Sequence, residues 1–345
     1  MTNLNDKEVI AESNIPLTAS ELGFLWAQYM NDTLDICVMD YFKYICKDKD
    51  ILPLIENSSN IAKNDIRIIS EIFIKEKHPI PVGFTDEDVN IDAPRLYSDS
   101  FILMYIQKVE VLAMASISMA VGLSARSDVS DFFRKLLISV SELHDKVRKV
   151  MLAKGVYVRP PQIPSPDQIN FVETQGFLFD FLGKHKRPLT AIEITHLFNN
   201  FQTNAMGKAM MMAFAQVCKN EDVKQFLIKG KEIANKHMKK FGSILIDEDI
   251  SAPMSLDAHV TDSTIAPFSD KLMMFQTTYM IAAGIGNYGM AAGTCQRIDV
   301  SATFARLATE IALYAEDGAN ILIKHGWLEE PPKSVDREKL ANQSN

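Results

Sequence analysis

The sequence predicts an all-α protein built from two tandem four-helix bundles. The first indication is a repeat: the tetrapeptide PLTA stands at residues 16–19 and again at 188–191, and each copy opens a long helix-like stretch. Gly155 closes the first copy in the same way that Gly326 closes the second. The second indication is length, because 345 residues are enough for roughly two domains.

Composition and charge exclude several classes of protein. The chain is 47% hydrophobic and 23% charged, which is typical of a globular protein. Its net charge of −8 argues against a nucleic-acid partner, because phosphate binding needs a concentrated basic face. The four cysteines show no CxxC spacing, and residues 1–14 lack the basic and apolar segments of a secretory signal. We therefore expect a cytoplasmic protein with reduced thiols.

The repeat divides the chain into five segments, and each copy contains four predicted helices. Helices of this length are about 40 Å long, which is the geometry of a bundle. The segments are a flexible N-terminal tail (1–15), a first four-helix bundle (16–155), a linker rich in proline and phenylalanine (156–187), a second four-helix bundle (188–326) and a C-terminal tail (327–345). The predicted helices are 18–46, 50–76, 98–123 and 128–154 in the first copy, and 190–218, 221–246, 269–293 and 299–324 in the second.

Sequence signals mark where the helices begin. Thr18 and Glu21, and again Thr190 and Glu193, have the S/T-x-x-E spacing of a capping box. In that motif the threonine hydroxyl accepts from the glutamate amide, and the carboxylate accepts from the threonine amide. We expect these four residues to be structural helix caps. The expected N-caps of the third and fourth helices are Ser98, Ser269, Asp128 and Asp299.

The connections predict how the helices pack. A few residues join helices one and two, and likewise helices three and four, so each pair should be antiparallel neighbours. About twenty residues, 79–97, separate helices two and three, which is enough to run the length of the bundle. The order short, long, short is that of ferritin-like bundles with a single crossover.

The linker between the copies begins with a proline-rich stretch, 159–166, which should be stiff and extended. Several phenylalanines follow, and two interpretations are open. One is a short helix that covers a groove between the bundles, and the other is a motif that docks onto a partner protein. The phenylalanines are Phe171, Phe177, Phe179 and Phe181.

One segment is apolar enough to suggest membrane association. Residues 272–293 contain no charged side chain and are numerous enough to span a bilayer. However, the segment contains polar residues such as Gln276 and Asn287, and its counterpart in the first copy contains Lys108 and Glu110. We therefore expect a central helix that is buried on all sides, and no membrane span.

The connectivity of the bundles raises the hypothesis of a di-iron or di-manganese site. Such a site needs a Glu from each of two helices and a Glu-x-x-His from each of the other two. The second copy offers Glu193 with His196, but Glu193 belongs to a capping box at the end of the bundle. His196 lies roughly 10 Å along the helix axis from the position that faces His237, which is too far for both to bind one metal. The third helix of this copy has no acidic residue after Asp270. The set is incomplete.

The first copy gives no complete set either. Its glutamate candidates are Glu71, Glu110 and Glu142, which we interpret as exposed surface residues. No histidine corresponds to His237, because Asp65 stands at that position. We therefore predict no catalytic residues and no cofactor. The weak metal candidates of the whole chain are His196, His237, Glu142 and His144, and the metal would be iron or manganese.

Other catalytic motifs are missing or have a structural explanation. The sequence has no Gly-x-Ser-x-Gly elbow and no P-loop. Residues 284–289 resemble the GxGxxG of dinucleotide sites, but they lie in a helical stretch without a preceding strand. The small residues of this stretch should instead let a neighbouring backbone approach closely.

Several stretches of the chain resemble a known family. They are PLTASELGFLW (16–26), IPVGFTDEDV (80–89), GVYVRPP (155–161), RPLTAIEITHLFNNFQTNAMGKA (187–209), PFSDKLMMF (267–275) and YAEDGANILIKHGWLEEPP (314–332). In combination they resemble a tandem-repeat family of Bacillota, domain of unknown function 3231, over nearly all of residues 16–340. The resemblance implies a ferritin-like fold, a distant similarity to the coat F class of spore coat proteins, and a place in the mother cell or spore coat. It implies no established activity.

The sequence therefore favours a non-catalytic, duplicated bundle protein that acts by packing or by protein–protein assembly. Its partners would be other proteins or copies of itself, without nucleic acid and without a membrane span. Two alternatives stay open: a ferritin-like metal-binding oxidoreductase or metal store, and a membrane-associated helical protein anchored by residues 272–293. Whether the protein is an enzyme is left open by these patterns.

Overall fold

Within residues 15–178 and 187–343, which the computed structural model describes, the chain is all-α. The first bundle consists of α1 (Ala19–Ile45), α2 (Leu52–Lys75), α3 (Asp99–Leu123) and α4 (Ser127–Ala153). The second consists of α5 (Ala191–Val217), α6 (Glu221–Ile246), α7 (Asp270–Thr294) and α8 (Ile298–Lys324). In each bundle the helices joined by short connections pack on each other, and a long crossover follows the second helix. The predicted fold class is confirmed.

The two ends of the chain extend beyond the bundles. The predicted N-terminal tail, 1–15, lies almost entirely outside the described residues. The C-terminal segment 327–345 was expected to be a tail, but it contains a short helix, α9 (Arg337–Gln343). Ahead of this helix, the carboxylate of Glu329 accepts a hydrogen bond from the backbone N–H of Gly83. The C-terminal segment is thereby tied to the first crossover.

A buried glutamate joins separate helix ends at one end of the first bundle. Glu21 Oε2 accepts from the backbone N–H of Thr18 at 2.7 Å and from its hydroxyl at 2.8 Å. Glu21 Oε1 accepts from the backbone N–H groups of Ala125 and Arg126, between α3 and α4, at 2.8 and 2.7 Å. The Arg126 guanidinium in turn donates to Glu76 at the end of α2. All four helices therefore meet at this point.

The second bundle repeats this arrangement. Glu193 accepts from the backbone N–H of Thr190 at 2.8 Å and from that of Arg297 at 2.7 Å. Arg297 also donates to Glu248, as Arg126 does to its partner in the first bundle. Here a further guanidinium, that of Arg187, makes a two-point contact with Glu193 at 2.8 and 2.9 Å.

The expected N-caps of the fourth helices are wrong by two residues. Arg126 and Arg297 occupy the N-cap positions of α4 and α8, with extended backbone. Asp128 and Asp299 lie in the first turn of each helix, where they accept from the guanidinium of the capping arginine. The reason is that each arginine backbone N–H is already bound to the buried glutamate, which fixes where the helix starts.

The two crossovers pair with each other, and each forms hydrogen bonds with the N-cap serine of the third helix in the opposite bundle. Ser269, the N-cap of α7, donates its backbone N–H and its hydroxyl to Asp88 of the first crossover, at 2.9 and 2.6 Å. Ser98, the N-cap of α3, makes the corresponding pair of contacts with His259 of the second crossover. The isolated antiparallel β-bridges between the crossovers are Val89 with Phe268 and Tyr97 with Val260.

The two bundles share one apolar core. The C-terminal half of α1 and the N-terminal half of α3 belong to it together with the second bundle. Aromatic contacts cross the boundary, such as Tyr41 with Phe268 at 5.3 Å and Phe84 with Phe275 at 5.1 Å between ring centroids. The other half of the first bundle has a separate core around Phe133. Polar side chains occupy the region between these two cores.

The apolar character of α3 and the burial of α7 both differ from what the sequence suggested. Among the described residues, α3 and not α7 is long and apolar enough to cross a membrane. Residues 101–106 of α3 are buried in the shared core and Glu110 is also buried, so α3 is a bundle helix and no membrane span is expected. The expectation that 272–293 is buried on all sides is wrong, because Gly286 and Met290 of α7 are exposed.

The glycines of the two bundles differ in what surrounds them. A Cβ built at Gly286, Gly289 or Gly293 of α7 would meet nothing within 4 Å. The expectation that these small residues admit a neighbouring backbone is therefore wrong within this chain. At Gly230 of α6, in contrast, a Cβ would approach the Tyr314 hydroxyl to 2.1 Å, so the close packing of α6 on α8 requires glycine there.

The described part of the linker contains no α-helix, only one 3₁₀ turn, Gln175–Phe177. The interpretation as a helix that covers a groove is therefore wrong for this part. Phe177 lies under the guanidinium of Arg187, 4.1 Å from the ring centroid, whereas the side chain of Phe171 is 87% exposed. Phe179 and Phe181 lie outside the described residues.

Candidate ligand cavity in the first bundle

Four carboxyl groups from three helices lie in the middle of the first bundle. Asp32 and Asp35 are one turn apart on α1, Asp65 is on α2 and Glu110 is on α3. The exposed fraction is 6% for Asp32, 3% for Asp65 and 4% for Glu110, and Asp35 is partly buried. His144 of α4 places its Nδ1 3.3 Å from Glu110 Oε2. We refer to the four acids as the acidic cluster.

Hydrogen bonds satisfy only part of the acidic cluster. Gln28 donates to Asp32 Oδ1 at 2.9 Å, and the Ser58 hydroxyl donates to Asp35 Oδ2 at 3.0 Å. The other oxygen of each aspartate and both oxygens of Glu110 have no hydrogen-bond partner among the described residues. A buried polar atom without a partner costs about 1–3 kcal/mol. The cluster therefore has more acceptors than hydrogen-bond donors, even with His144 Nδ1 beside Glu110.

The acidic cluster adjoins a cavity of about 340 Å³ between the two bundles. Asp32, Asp35 and Glu110 lie in its wall, and most other lining side chains are apolar. All four helices of the first bundle contribute one side of the wall, and α5 and α7 contribute the second bundle's side. Val111 and Met290 also line the cavity and are exposed, so it opens to solvent.

Burial makes the acidic cluster difficult to ionise. It raises the pKa of Asp35 to about 6, and the pKa values of Asp65 and Glu110 to about 7. For Asp32, burial and the neighbouring carboxyl of Asp65 both raise the pKa well above its ordinary value. These groups therefore gain charge near neutral pH instead of near pH 4.

A buried lysine lies in the same cavity wall. Lys108 Nζ donates to the side-chain oxygens of Asn199 at 3.1 Å and of Gln202 at 3.3 Å, both on α5. Burial lowers the pKa of Lys108 to about 8. Because both acceptors are neutral amides, the lysine is held on the α5 side of the cavity without an ion pair.

In the middle of the second bundle, hydrogen bonds close a different polar network. His237 is fully buried, with Nδ1 2.9 Å from the Tyr288 hydroxyl, which also accepts from Asn204 at 2.7 Å. Nε2 of His237 lies 3.4 Å from Glu310. Burial lowers the pKa of His237, although Glu310 acts in the opposite direction. A neutral His237 that accepts from the tyrosine and faces the carboxylate through Nε2–H satisfies this network.

The two copies therefore differ at equivalent positions. Where the first bundle has ionisable side chains, the second has neutral or smaller ones, and the cavity beside Asn204 and Tyr288 is only about 70 Å³. In register, Asp32, Asp65, Glu110 and His144 correspond to Asn204, His237, Ile281 and Ala315.

The structure separates the four weak metal candidates. His144 is beside the acidic cluster, whereas Glu142, two residues earlier on α4, is exposed. His196 is bonded to the Thr294 hydroxyl at 2.8 Å, near the end of the second bundle. His237 belongs to the closed network with Tyr288. No two of these four side chains therefore lie together in one site.

Sequence reasoning missed most of the acidic cluster. The interpretation of Glu110 as an exposed surface residue is wrong, although Glu71 and Glu142 are exposed as expected. The available signal was Asp32 inside an apolar stretch of α1, and Asp65 at the position that corresponds to a histidine. An acidic residue at a core position of an amphipathic helix indicates a site more strongly than a paired motif at the helix end.

The donor set does not fit a di-metal centre. No group of three or more His, Cys, Asp or Glu side chains within the described ranges is arranged to hold a metal ion. In the second bundle, Ile281 takes the place of Glu110, and His237 already has its partners. A bridging carboxylate is therefore missing from that copy.

Comparison with known proteins identifies the family. The family model described as a protein of unknown function, DUF3231, matches residues 6–169 and again 177–340. The chain belongs to this family. The predicted family resemblance is confirmed, and the two matches coincide with the two bundles of this DUF3231 protein.

Further comparisons of the DUF3231 protein give little about its activity. No curated protein matches it significantly. A crystal structure of a candidate spore coat protein from Bacillus halodurans is 18% identical to it, with a TM-score of 0.41. That similarity covers 44% of this chain and 98% of the other. At this identity and TM-score it does not bear on function.

Replacing one acid of the cluster should stabilise the protein at alkaline pH. The pKa of Asp65 is about 7 in the folded chain but near 3.8 when unfolded, so unfolding releases a proton between these values. The wild type therefore loses stability as the pH rises from about 4 to 7. We expect Asp65→Asn to raise the free energy of unfolding by roughly 1–3 kcal/mol at pH 8, and by nothing below pH 4.

Urea unfolding of both proteins across this pH range measures the difference. Glu142→Gln, which removes an exposed carboxylate from the same bundle, is the control. Its free energy of unfolding should differ from that of the wild type by an amount that does not vary with pH. If the gain in the free energy of unfolding for Asp65→Asn did not depend on pH, that result would contradict the raised pKa of Asp65.

Proposed function

We propose that this DUF3231 protein is a non-catalytic scaffold that acts through self-assembly, with copies joined head to tail. One observation supports the proposal above others. The side chains of Ile169 and Phe171 in the linker are each 87% exposed. Large apolar side chains at this exposure are common singly, but a cluster of them indicates a protein-binding surface.

The exposed residues lie together in one piece of linker without regular secondary structure, residues 163–172, which we call the linker segment. Ile163 and Val172 are also exposed, at 51% and 61%. Ile169 and Phe171 are alternate residues that follow the bend at Asp167 and Gln168. Extended peptides with this pattern bind by placing alternate side chains in the pockets of a receptor.

A receptor for such a segment is present elsewhere on the same molecule. A groove of about 640 Å³ runs between the start of the linker and the second crossover, and we call it the linker groove. Tyr157, Phe198 and Pro253 contribute apolar surface to it, and Met254 at its edge is 83% exposed. The volume lies within the range of grooves that hold ligands with several large side chains.

The placement of segment and groove favours a second copy of this chain as the partner. The two surfaces are different from each other, so contact between two copies is head to tail and leaves one segment and one groove unused. Copies can therefore be added in succession. This geometry suits a protein that contributes to a layer or filament.

Self-assembly should depend on both surfaces. At concentrations up to about 100 µM, in the range where standard interfaces are populated, we expect the wild type to form oligomers larger than dimers. A segment variant, Ile169→Asp with Phe171→Asp, and a groove variant, Met254→Asp, should each be monomeric, because each introduces a charge into an apolar contact. Sedimentation velocity measures the sizes.

Mixing the two variants is the decisive measurement. The intact groove of the first meets the intact segment of the second, so an equimolar mixture should give dimers and nothing larger. Leu313→Asp, at a residue that is 65% exposed on α8, should assemble like the wild type. A wild type that stays monomeric throughout would contradict the proposal.

The proposal includes the absence of a resident metal. It is supported by the closed network around His237 and by the lack of a suitable donor group among the described residues. Elemental analysis of protein purified without chelators should find far less than one iron or manganese per chain. About two per chain, the stoichiometry of di-metal bundles, would favour the metal-store alternative.

We propose the spore coat, or the mother cell that builds it, as the place of action. The support is the resemblance of the repeated motifs to the coat F class of spore coat proteins. Immunoblots of fractionated sporulating cultures should detect the protein in the coat extract of purified spores. Detection only in vegetative cells would contradict this part of the proposal.

A further inference from the structure

The cavity beside the acidic cluster is larger than packing defects in a folded core. Its volume of about 340 Å³ lies at the lower end of the range for small-molecule sites, and it opens to solvent past Val111 and Met290. A metal ion would occupy only a small part of this space. The size and the access route therefore indicate an organic molecule.

The unpaired atoms of the wall define what that molecule must offer. They are all acceptors, from three different helices: Asp32 and Asp35 on α1, Glu110 on α3 and Gln276 on α7. The amide nitrogen of Gln276 is already used, because it donates to the Tyr105 hydroxyl. Among the described residues that line the cavity, no buried nitrogen is without a hydrogen-bond partner. His144, which is not among the lining residues, has its Nδ1 3.3 Å from Glu110 Oε2, so Oε1 is the atom of Glu110 that is left for a ligand. A ligand that completes the wall must therefore donate hydrogen bonds.

The charge and polarity of the cavity wall narrow the class of ligand further. Three of the unpaired acceptors are carboxyl groups, which favour a positively charged donor when ionised. The remaining wall is mostly apolar, with residues such as Ile61, Leu112 and Met280. A ligand that matches both parts has ammonium groups joined by a hydrocarbon chain. Lys108 does not compete, because Asn199 and Gln202 hold it on the opposite side.

We propose that the cavity binds an aliphatic diamine, with its ammonium groups at the carboxyl groups of Asp32, Asp35 and Glu110. The acceptors lie on both α1 and α3, so two ammonium groups satisfy more of them than one can. The site is independent of the linker segment and the linker groove. Assembly and amine binding can therefore fail separately.

Binding should require ionised carboxyl groups. Burial raises the pKa of Asp35 to about 6 and that of Glu110 to about 7, so protonation at acidic pH removes the charges that attract the diamine. α5 contributes only neutral side chains, those of Asn199, Thr203, Met206 and Met210. The titratable groups that surround the cavity are Asp32 and Asp35 on α1, Asp65 on α2, Tyr105, Lys108 and Glu110 on α3, His144 on α4 and Tyr279 on α7.

Calorimetric titration of the full chain with cadaverine tests the proposal. We expect one molecule to bind per chain at pH 8, with a dissociation constant below about 1 mM. Binding should weaken at least about tenfold at pH 5.5, because the carboxyl groups become protonated. Pentanediol, which has the same chain length but no positive charge, should not bind.

Two matched variants separate a specific site from general attraction to an acidic protein. Glu110→Gln should weaken cadaverine binding at least about tenfold, because it removes a charge and replaces an acceptor. Glu142→Gln removes one exposed negative charge and should bind like the wild type. Circular dichroism verifies that both variants remain folded, and Asp35→Asn serves if Glu110→Gln does not.

Three results would overturn the proposal. The first is no saturable binding of cadaverine at pH 8 by the wild type. The second is equal binding by the wild type and the Glu110→Gln or Asp35→Asn variant. The third is binding of Mn²⁺ alone that needs Glu110, without binding of cadaverine, which would identify a metal site instead. The segment variant, which is defective only in assembly, should bind cadaverine normally.

Discussion

A buried carboxylate at the end of each bundle is the contact on which the arrangement of the helices depends. Glu21 and Glu193 are fully buried, and each receives backbone N–H groups from two segments about a hundred residues apart. Burial opposes their ionisation. The donors, which include the Arg187 guanidinium for Glu193, outweigh it and keep both pKa values below the ordinary range, at about 2 for Glu193. The position of each first helix along the bundle axis, relative to the third and fourth helices, is thereby fixed.

With the helices held at the ends, the two copies can differ in the middle without a change of fold. In the second bundle, His237, Tyr288 and Asn204 satisfy one another, and aromatic rings such as that of Phe241 pack beside them. In the first bundle, the acids of the acidic cluster interrupt the apolar core and leave an open cavity. One copy therefore pairs its central polar groups with one another, and the other has interior polar atoms that a bound molecule or water can satisfy.

The sequence was sufficient for features that depend on local patterns. The PLTA repeat, the threonine and glutamate spacing and the connection lengths led directly to eight helices in two bundles. Features that depend on contacts between distant segments were missed. The start of α4 is set by a hydrogen bond from Arg126 to Glu21, 105 residues earlier, which no local propensity encodes. Likewise, Glu110 is buried because α1 and α4 pack around it, with Asp35 and His144 as its neighbours.

The hydrogen bonds between the two crossovers also bear on how the protein folds during its synthesis. His259, which is hydrogen-bonded to the N-cap Ser98 of α3, is translated 161 residues after its partner. At the usual rate of about 5–20 residues per second, this delay is roughly 8–30 s. During that time the first copy has left the ribosome without the contact between Ser98 and His259 and with Tyr41 not yet covered by Phe268. The shared core and the contacts between the crossovers can therefore form only after the second copy has been synthesised.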